Sequence, residues 1–349
     1  MIEIGAFFSA LTGSPVLVVV LVLTLGATVV NGATDAPNAI ATVVGTRSMS
    51  PGRAIIMAAI CNFLGLVIIT SVSAAVAKTI FGMVNFGGDS HAALLALAAA
   101  MIAIIVWGVA AWRLGIPTSQ SHSLIAGLTG AAIALQSGIG GVNGAEWMKV
   151  IYGLLISTVL GFGSGWLLTK TIERLARNAD RRKMSGFWLW AQRIAGAGVA
   201  LMHGAQDGQK FLSISLMGIM LCMGLGDDPT NMSFPFWLIV LVALAMGLGT
   251  AVGGKKIIKN VGLDMVKMEP YQGFSVCLSS VFCIALATFT GMPVSTTHTT
   301  TTAIMGVGAS KRLSNVKWNK AGHMVLTWVL TFPGCGIIGY VLAKVFLLF

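Results

Sequence analysis

Long apolar runs broken by short polar islands set the pattern of this chain. "AALLALAAAMIAIIVWGVAAW" (Ala92 to Trp112) and "FWLIVLVALAMGLGTAVGG" (Phe236 to Gly254) contain almost no charge. A run of about 18 or more such residues is long enough to cross a bilayer as a helix. The pattern predicts membrane segments over about 14–46, 53–77, 148–168, 188–224, 234–253 and 322–348. Segments 92–113 and 118–137 form one helical hairpin, and 271–309 forms another. This reads as an all-α polytopic membrane protein. The N-terminus carries no early basic flank and no A-x-A-like site, so no removable signal peptide is expected.

Composition agrees: 349 residues, 56% hydrophobic, 9% charged, mean hydropathy +0.87, against about 25% charged in a soluble domain. The net charge of +11 would suit a nucleic-acid partner, but its distribution excludes one. Sixteen of the 22 Lys and Arg fall in four regions: Arg47 and Arg53, the central loop from Lys170 to Lys183, Lys255 to Lys267, and Lys311 to Lys320. Placing these in the cytoplasm satisfies the positive-inside rule. Both termini then lie on the extracytoplasmic side. Each hairpin opens and closes on one side, and whether it spans or re-enters stays open. Five scattered cysteines read as small buried hydrophobes.

The polar islands repeat. "VVNGATDAPN" (Val29 to Asn38) matches "LMHGAQDGQK" (Leu201 to Lys210) at an offset of 172, and "GIPTSQSH" (Gly115 to His122) matches "GMPVSTTH" (Gly291 to His298) at 176. An odd number of crossings separates the copies, so the reading is two inverted repeats with broken helices: 1–169, a basic cytoplasmic linker 170–187, and 188–349. Inverted repeats of this kind mark secondary transporters, with the substrate site at the repeat interface.

Asp35 and Asp207 are the only acids inside apolar segments. A carboxylate there is expensive and points to function; capping a broken helix is the alternative. Gly32, Pro37 and Gly204 are expected to interrupt helices and free carbonyls for a cation. Each hydroxyl cluster follows Gly-x-Pro, so Ile116 to His122 and Met292 to His298 read as helix starts, which favour anions. Ser119, Ser121, Ser295, Thr296 and Thr297 add neutral donors there; simple N-caps and helix packing are the alternative. His122 and His298 end the motifs and suit either a structural or a site role. His203 stands where the first copy has Asn31. Lys210 replaces Asn38 of the first copy, and its ammonium can stand in for a bound cation; a snorkelling Lys is the alternative. Arg113 reads equally as an anion contact or a hairpin-tip residue. No G-x-S-x-G elbow and no Walker A pattern occurs, so neither hydrolysis nor direct ATP drive is expected.

With these residues in place, the chain resembles the inorganic phosphate transporter (PiT) family over nearly its whole length. That family carries a duplicated G-A-N-D-x-x-N and a G-x-P-x-S-x-x-H hairpin motif. "HGAQDGQK" is most similar to the bacterial low-affinity Pit branch. Thr34 and Gln206 depart from the usual Asn, and Lys210 from the final Asn. The resemblance implies phosphate uptake across the plasma (inner) membrane by symport with H⁺ or Na⁺, with a divalent metal carried as metal-phosphate in some relatives, and a homodimer. It places phosphate on Thr118, Ser119, Gln120, Ser121, Ser295, Thr296 and Thr297. It places the coupling ion near Asn31, Thr34, Asp35, Asn38, Gln206, Asp207 and Lys210, with Asp35, Asn38 and Asp207 as metal ligands if that ion is Na⁺. Lys210 tilts the expectation toward H⁺. A carrier of another oxyanion such as sulfate, an uncoupled anion channel and a non-transporting receptor are the rivals.

Overall fold

The computed structural model describes residues 2–87, 89–114, 118–225, 232–253 and 266–348. Gly115 and Pro117 of the first hairpin motif, and Lys255, Lys256 and Lys259 of the third basic region, lie outside the described residues. The helices are α1 (Ile4–Gly13), α2 (Pro15–Thr34), α3 (Ala36–Gly45), α4 (Pro51–Val72), α5 (Ala75–Phe81), α6 (Ser90–Leu114) and α7 (Gln120–Gln136). They continue with α8 (Gly144–Leu175), α9 (Arg181–Met223), α10 (Phe236–Val252), α11 (Pro270–Thr290), α12 (Thr296–Lys311) and α13 (Trp318–Phe346). Among the described residues the sole β pairing is an isolated bridge between Val84 and Val142. Among the described residues, six stretches are long and apolar enough to cross a membrane: 15–45 (α2 with α3), α4, α6, α8, α11 and α13. The protein is a multi-pass helical membrane protein.

The two copies of the Gly-Ala-x-Asp motif do not fold alike. In the first, Pro37 has no N–H to offer the carbonyl of Ala33, and the helix lapses for one residue at Asp35 before α3 resumes. The interruption expected at Gly204 is absent: α9 runs unbroken for 43 residues. Gln209 occupies the position of Pro37, and a helical Gly alone weakens a helix by only about 1 kcal/mol without removing a donor. The segment expected over 53–77 also divides. α4 stops at Val72 and the buried α5 follows, because Gln209 of α9 grips the turn, its Nε2 donating to Ser73 O at 2.7 Å and its Oε1 accepting from Ala77 N at 3.3 Å.

The hairpin helices start later than their prolines suggest. Ser119 and Ser295 are the N-caps, in extended conformation, their Oγ atoms accepting from His122 N and His298 N at 3.2 Å each. A side-chain acceptor satisfies an otherwise orphaned N–H, which proline cannot do. Pro293 therefore lies in the extended lead-in rather than in the first turn.

Helices approach through glycines, and the approaches come in corresponding pairs. Gly65 of α4 lies on the backbone of Leu201, and Gly249 of α10 lies on the backbone of Val29. Gly130 of α7 meets Gly336 of α13, and Gly306 of α12 meets Phe162 of α8. Each hairpin's second helix thus packs on the last long helix of the other half. Small residues permit this because apolar helices gain nothing hydrophobic by leaving lipid and associate through close backbone packing. Gly65→Val would drive its side chain into the Leu201 carbonyl. Overpacking costs about 1–3 kcal/mol, so thermal unfolding in detergent should shift several degrees downward. Gly163→Ala, with nothing within 4 Å of the added carbon, should leave the midpoint unchanged or slightly raised.

Candidate functional site

The break in α2–α3 brings Asn31, Asp35 and Asn38 to the bundle centre, where the starts of α7 and α12 and the middle of α9 converge. Asp35 Oδ2 accepts the backbone N–H of Gln120, the first residue of α7, at 3.2 Å. Asn38 Nδ2 donates to Thr297 Oγ1 in the first turn of α12 at 2.9 Å. Asn31 Nδ2 donates to Asp207 Oδ2 at 3.4 Å. The first half thereby touches both hairpin tips and the opposing carboxylate. No side chain in this group, nor in the phosphate-cradle set from Thr118 to Ser121 and Ser295 to Thr297, is more than 5% exposed. The site is closed to both faces.

Lys210 is the hub. Its Nζ donates to Asp207 Oδ1 at 2.7 Å, to Val294 O at 2.7 Å and to Ser121 Oγ. Three donors meet three oxygens, from α9 and from both hairpins, and the residue is 1% exposed. The snorkelling alternative is excluded by that burial. Asp207 also accepts from Ser121 Oγ at 3.4 Å and Thr296 Oγ1 at 3.3 Å. His203 Nε2 lies 3.3 Å from Asp207 Oδ2, close enough for a charge contact but off hydrogen-bond alignment. Its Nδ1 is 3.0 Å from Asn62 Oδ1. Asn62 Nδ2 in turn donates to Thr250 Oγ1 at 3.0 Å.

The two aspartates are therefore unequal. Asp207 is surrounded by donors and an ammonium. Asp35 has one backbone donor, and its Oδ1 has no partner among the described residues; the same holds for Asn31 Oδ1, Asn38 Oδ1 and both ends of the Gln120 amide. Asn31, Asp35 and Asn38 follow helical spacing, so these unpaired oxygens share a face. Oxygen donors of this kind suit Na⁺ or a proton. No group of three or more His, Cys, Asp or Glu that could hold a metal occurs among the described residues.

Other expected residues take different places. Gln206 Nε2 donates to Met292 O at 2.9 Å and its Oε1 accepts from Thr288 Oγ1 at 2.6 Å, so it ties α9 to the second hairpin. Thr34 Oγ1 donates back to Val30 O at 2.9 Å. His122 and His298 lie just behind the tips, with ring centroids 4.3 Å apart, stacked on Phe332 and Trp328 of α13. Arg113 is exposed in the last turn of α6, whereas both acids are buried. A cavity of about 470 Å³ lies elsewhere, among Glu173, Trp188, Glu269, Tyr271 and Lys311. Three contributors escape the sequence reading. Val294 O and Gln120 N act through backbone and leave no mark in residue type. Asn62 does leave one, as an amide in the otherwise apolar α4.

Residues 31–339 match the phosphate transporter family. The probable low-affinity inorganic phosphate transporter of Bacillus subtilis (strain 168) is 35% identical over 92% of this chain and 94% of its own length. A protein of the same description from Rhizobium meliloti (strain 1021) is 33% identical over 93% of this chain and 94% of its own. A solved structure described as "The sodium-dependent phosphate transporter" shares the fold, with a TM-score of 0.86 at 22% identity, covering 96% of this chain and all of that one. These relatives are transporters rather than enzymes. The chain belongs to the phosphate transporter family.

Proposed function

We propose that this protein is a secondary active transporter that imports inorganic phosphate across the plasma membrane by symport with a cation, H⁺ or Na⁺. One observation carries the reading: the only two intramembrane acids meet the donor-bearing starts of both hairpin helices in one closed site. Helix starts carry unpaired N–H groups and about half a positive charge. Ser119, Gln120, Ser121, Ser295, Thr296 and Thr297 add neutral donors, with the buried Thr118 next to them in sequence. Neutral donors hold an oxyanion loosely enough to release it, which fits relatives described as low-affinity.

Charge balance supports coupling. Asp35, Asp207 and Lys210 sum to −1, and phosphate adds one or two negative charges. Such a load is prohibitive at membrane depth without a cation. Na⁺ or a proton at Asp35, or a divalent metal travelling with phosphate, relieves it. The neighbour described as sodium-dependent favours Na⁺; the Lys210 ammonium, already paired to Asp207, favours fewer ions and H⁺. The glycine contacts that recur between the halves support two inverted repeats, with both termini extracytoplasmic and the site at the repeat interface. A homodimer follows from the family resemblance alone.

Proteoliposomes under separately imposed Na⁺ and H⁺ gradients test this reading. Uptake should follow one gradient and be competed by arsenate but not by sulfate; gradient-independent flux would indicate a channel. Asp35→Asn and Asp207→Asn should each abolish accumulation while the protein keeps its elution profile in detergent. Lys210→Asn should either stop transport or make it newly dependent on Na⁺. An unchanged rate and ion dependence would make Lys210 a bystander.

A further inference from the structure

The donors assigned to phosphate are already in use. Gln120 N, at the start of α7, donates to Asp35 Oδ2 at 3.2 Å. Ser121 Oγ and Thr296 Oγ1, one from each hairpin, donate to Asp207 at 3.4 and 3.3 Å. The chain's own carboxylates thus sit where an oxyanion would take its hydrogen bonds. A carboxylate and a phosphate cannot share one N–H at full strength, and two anions side by side in a medium of low dielectric repel strongly. Resting on the phosphate reading above, we propose that Asp35 is an internal surrogate for phosphate, and that a cation binding its carboxylate turns it away from α7 and hands the helix start to the substrate.

Asp35 is the aspartate equipped for the exchange. Asp207 is held by Lys210, Ser121, Thr296 and Asn31, so releasing it would break several bonds at once. Asp35 has only the Gln120 backbone bond and the Thr297 hydroxyl to give up, and no ammonium beside it. Its free Oδ1, with Asn31 Oδ1 and Asn38 Oδ1, offers the incoming cation oxygen ligands that no described residue satisfies. The Gln120 side chain, buried with both amide ends unpaired, packs against Gly108 of α6, so the contested donor at this helix start is the backbone N–H alone. The order of events is then fixed. The cation binds first, phosphate second, and neither alone makes a neutralised site that can reorient. Coupling arises from donor exchange rather than from a movement transmitted over distance. The other charged groups that act on Asp35 are Asp207 and Lys210 on α9; His203 lies against Asp207 and Asn62, and His122 and His298 pack behind the tips on α13. Lys210 keeps the second carboxylate neutralised throughout.

The test measures phosphate binding, not transport. Radiolabelled inorganic phosphate is titrated onto the whole purified protein in detergent. One series varies Na⁺ at fixed pH, and the other varies pH without Na⁺. The wild type should bind at least about tenfold more tightly at saturating cation in one series, the lower end for a hydrogen bond to a charged group. Asp35→Ala, which removes the surrogate, should bind without added cation at least as tightly as the wild type does with it, and lose the dependence, although accumulation in vesicles is lost. Asp35→Asn, which keeps a neutral acceptor against Gln120 N, should fall between the two. If folded Asp35→Ala keeps the wild-type cation dependence, or binds no phosphate at any cation concentration, Asp35 is no surrogate and the proposal is overturned. If the wild type itself binds no phosphate in either series, the functional reading above fails instead.

Discussion

Two carboxylates buried in a nearly charge-free bundle impose the condition that the rest of this structure meets. An isolated ionised acid in such a medium is unfavourable by many kcal/mol, so each must find charge or donors nearby. The chain meets the need in two ways. For Asp207 it supplies an ammonium three residues along the same helix, a geometry in which the two side chains share a face. For Asp35 it supplies a helix start and leaves one oxygen unpaired. The site is thus asymmetric although its motifs are duplicated, and that asymmetry separates a permanently compensated anion from one that awaits a cation.

Bringing the donors to those acids requires helix ends at membrane depth. Backbone ends in lipid are tolerated only where protein covers them. Here the two hairpin tips cover each other and the aspartates cover both. The caps at Ser119 and Ser295 satisfy part of each helix start internally, which leaves Gln120 N free to face outward from the helix. The glycine contacts matter for the same reason. With Gly65 against Leu201, Gly204 against Asn62 and Gly32 against Met246, α9 and α2 lie close enough to their neighbours for short side chains to reach across. The site's precision rests on backbone proximity because small residues leave little side chain to adjust.

Histidine placement follows the same logic. His122 and His298 each follow a capping serine by three residues, so helical geometry turns their rings away from the tips. They meet behind the site against aromatic faces of α13. A contact between the two hairpins therefore exists on both sides of the donor layer: Lys210 with Ser121 and Val294 in front, the imidazole pair behind.

Much of this was legible in the sequence. Long apolar runs fix membrane helices because nothing else satisfies a backbone in lipid. A motif duplicated in order and spacing marks a duplicated unit, and an intramembrane acid announces itself by its rarity. Asp35, Asp207 and the hydroxyl clusters could be picked out for these reasons. Tertiary structure decided what depends on contacts distant in sequence. Pro37 breaks its helix and Gly204 does not, because only one removes a donor. Gln206 proved to be a tether and Arg113 an exposed end, since residue type does not say which way a side chain points. The roles of Gln120 N and Val294 O had no sequence mark at all, because every residue has the same backbone. The unequal treatment of the two aspartates was half legible, because Lys210 follows Asp207 by three residues where Asn38 follows Asp35. The donors from Ser121, Thr296 and Gln120 N that complete it emerged only when α9 and α2 lay against both hairpins, since those partners are defined by distance in space and not along the chain.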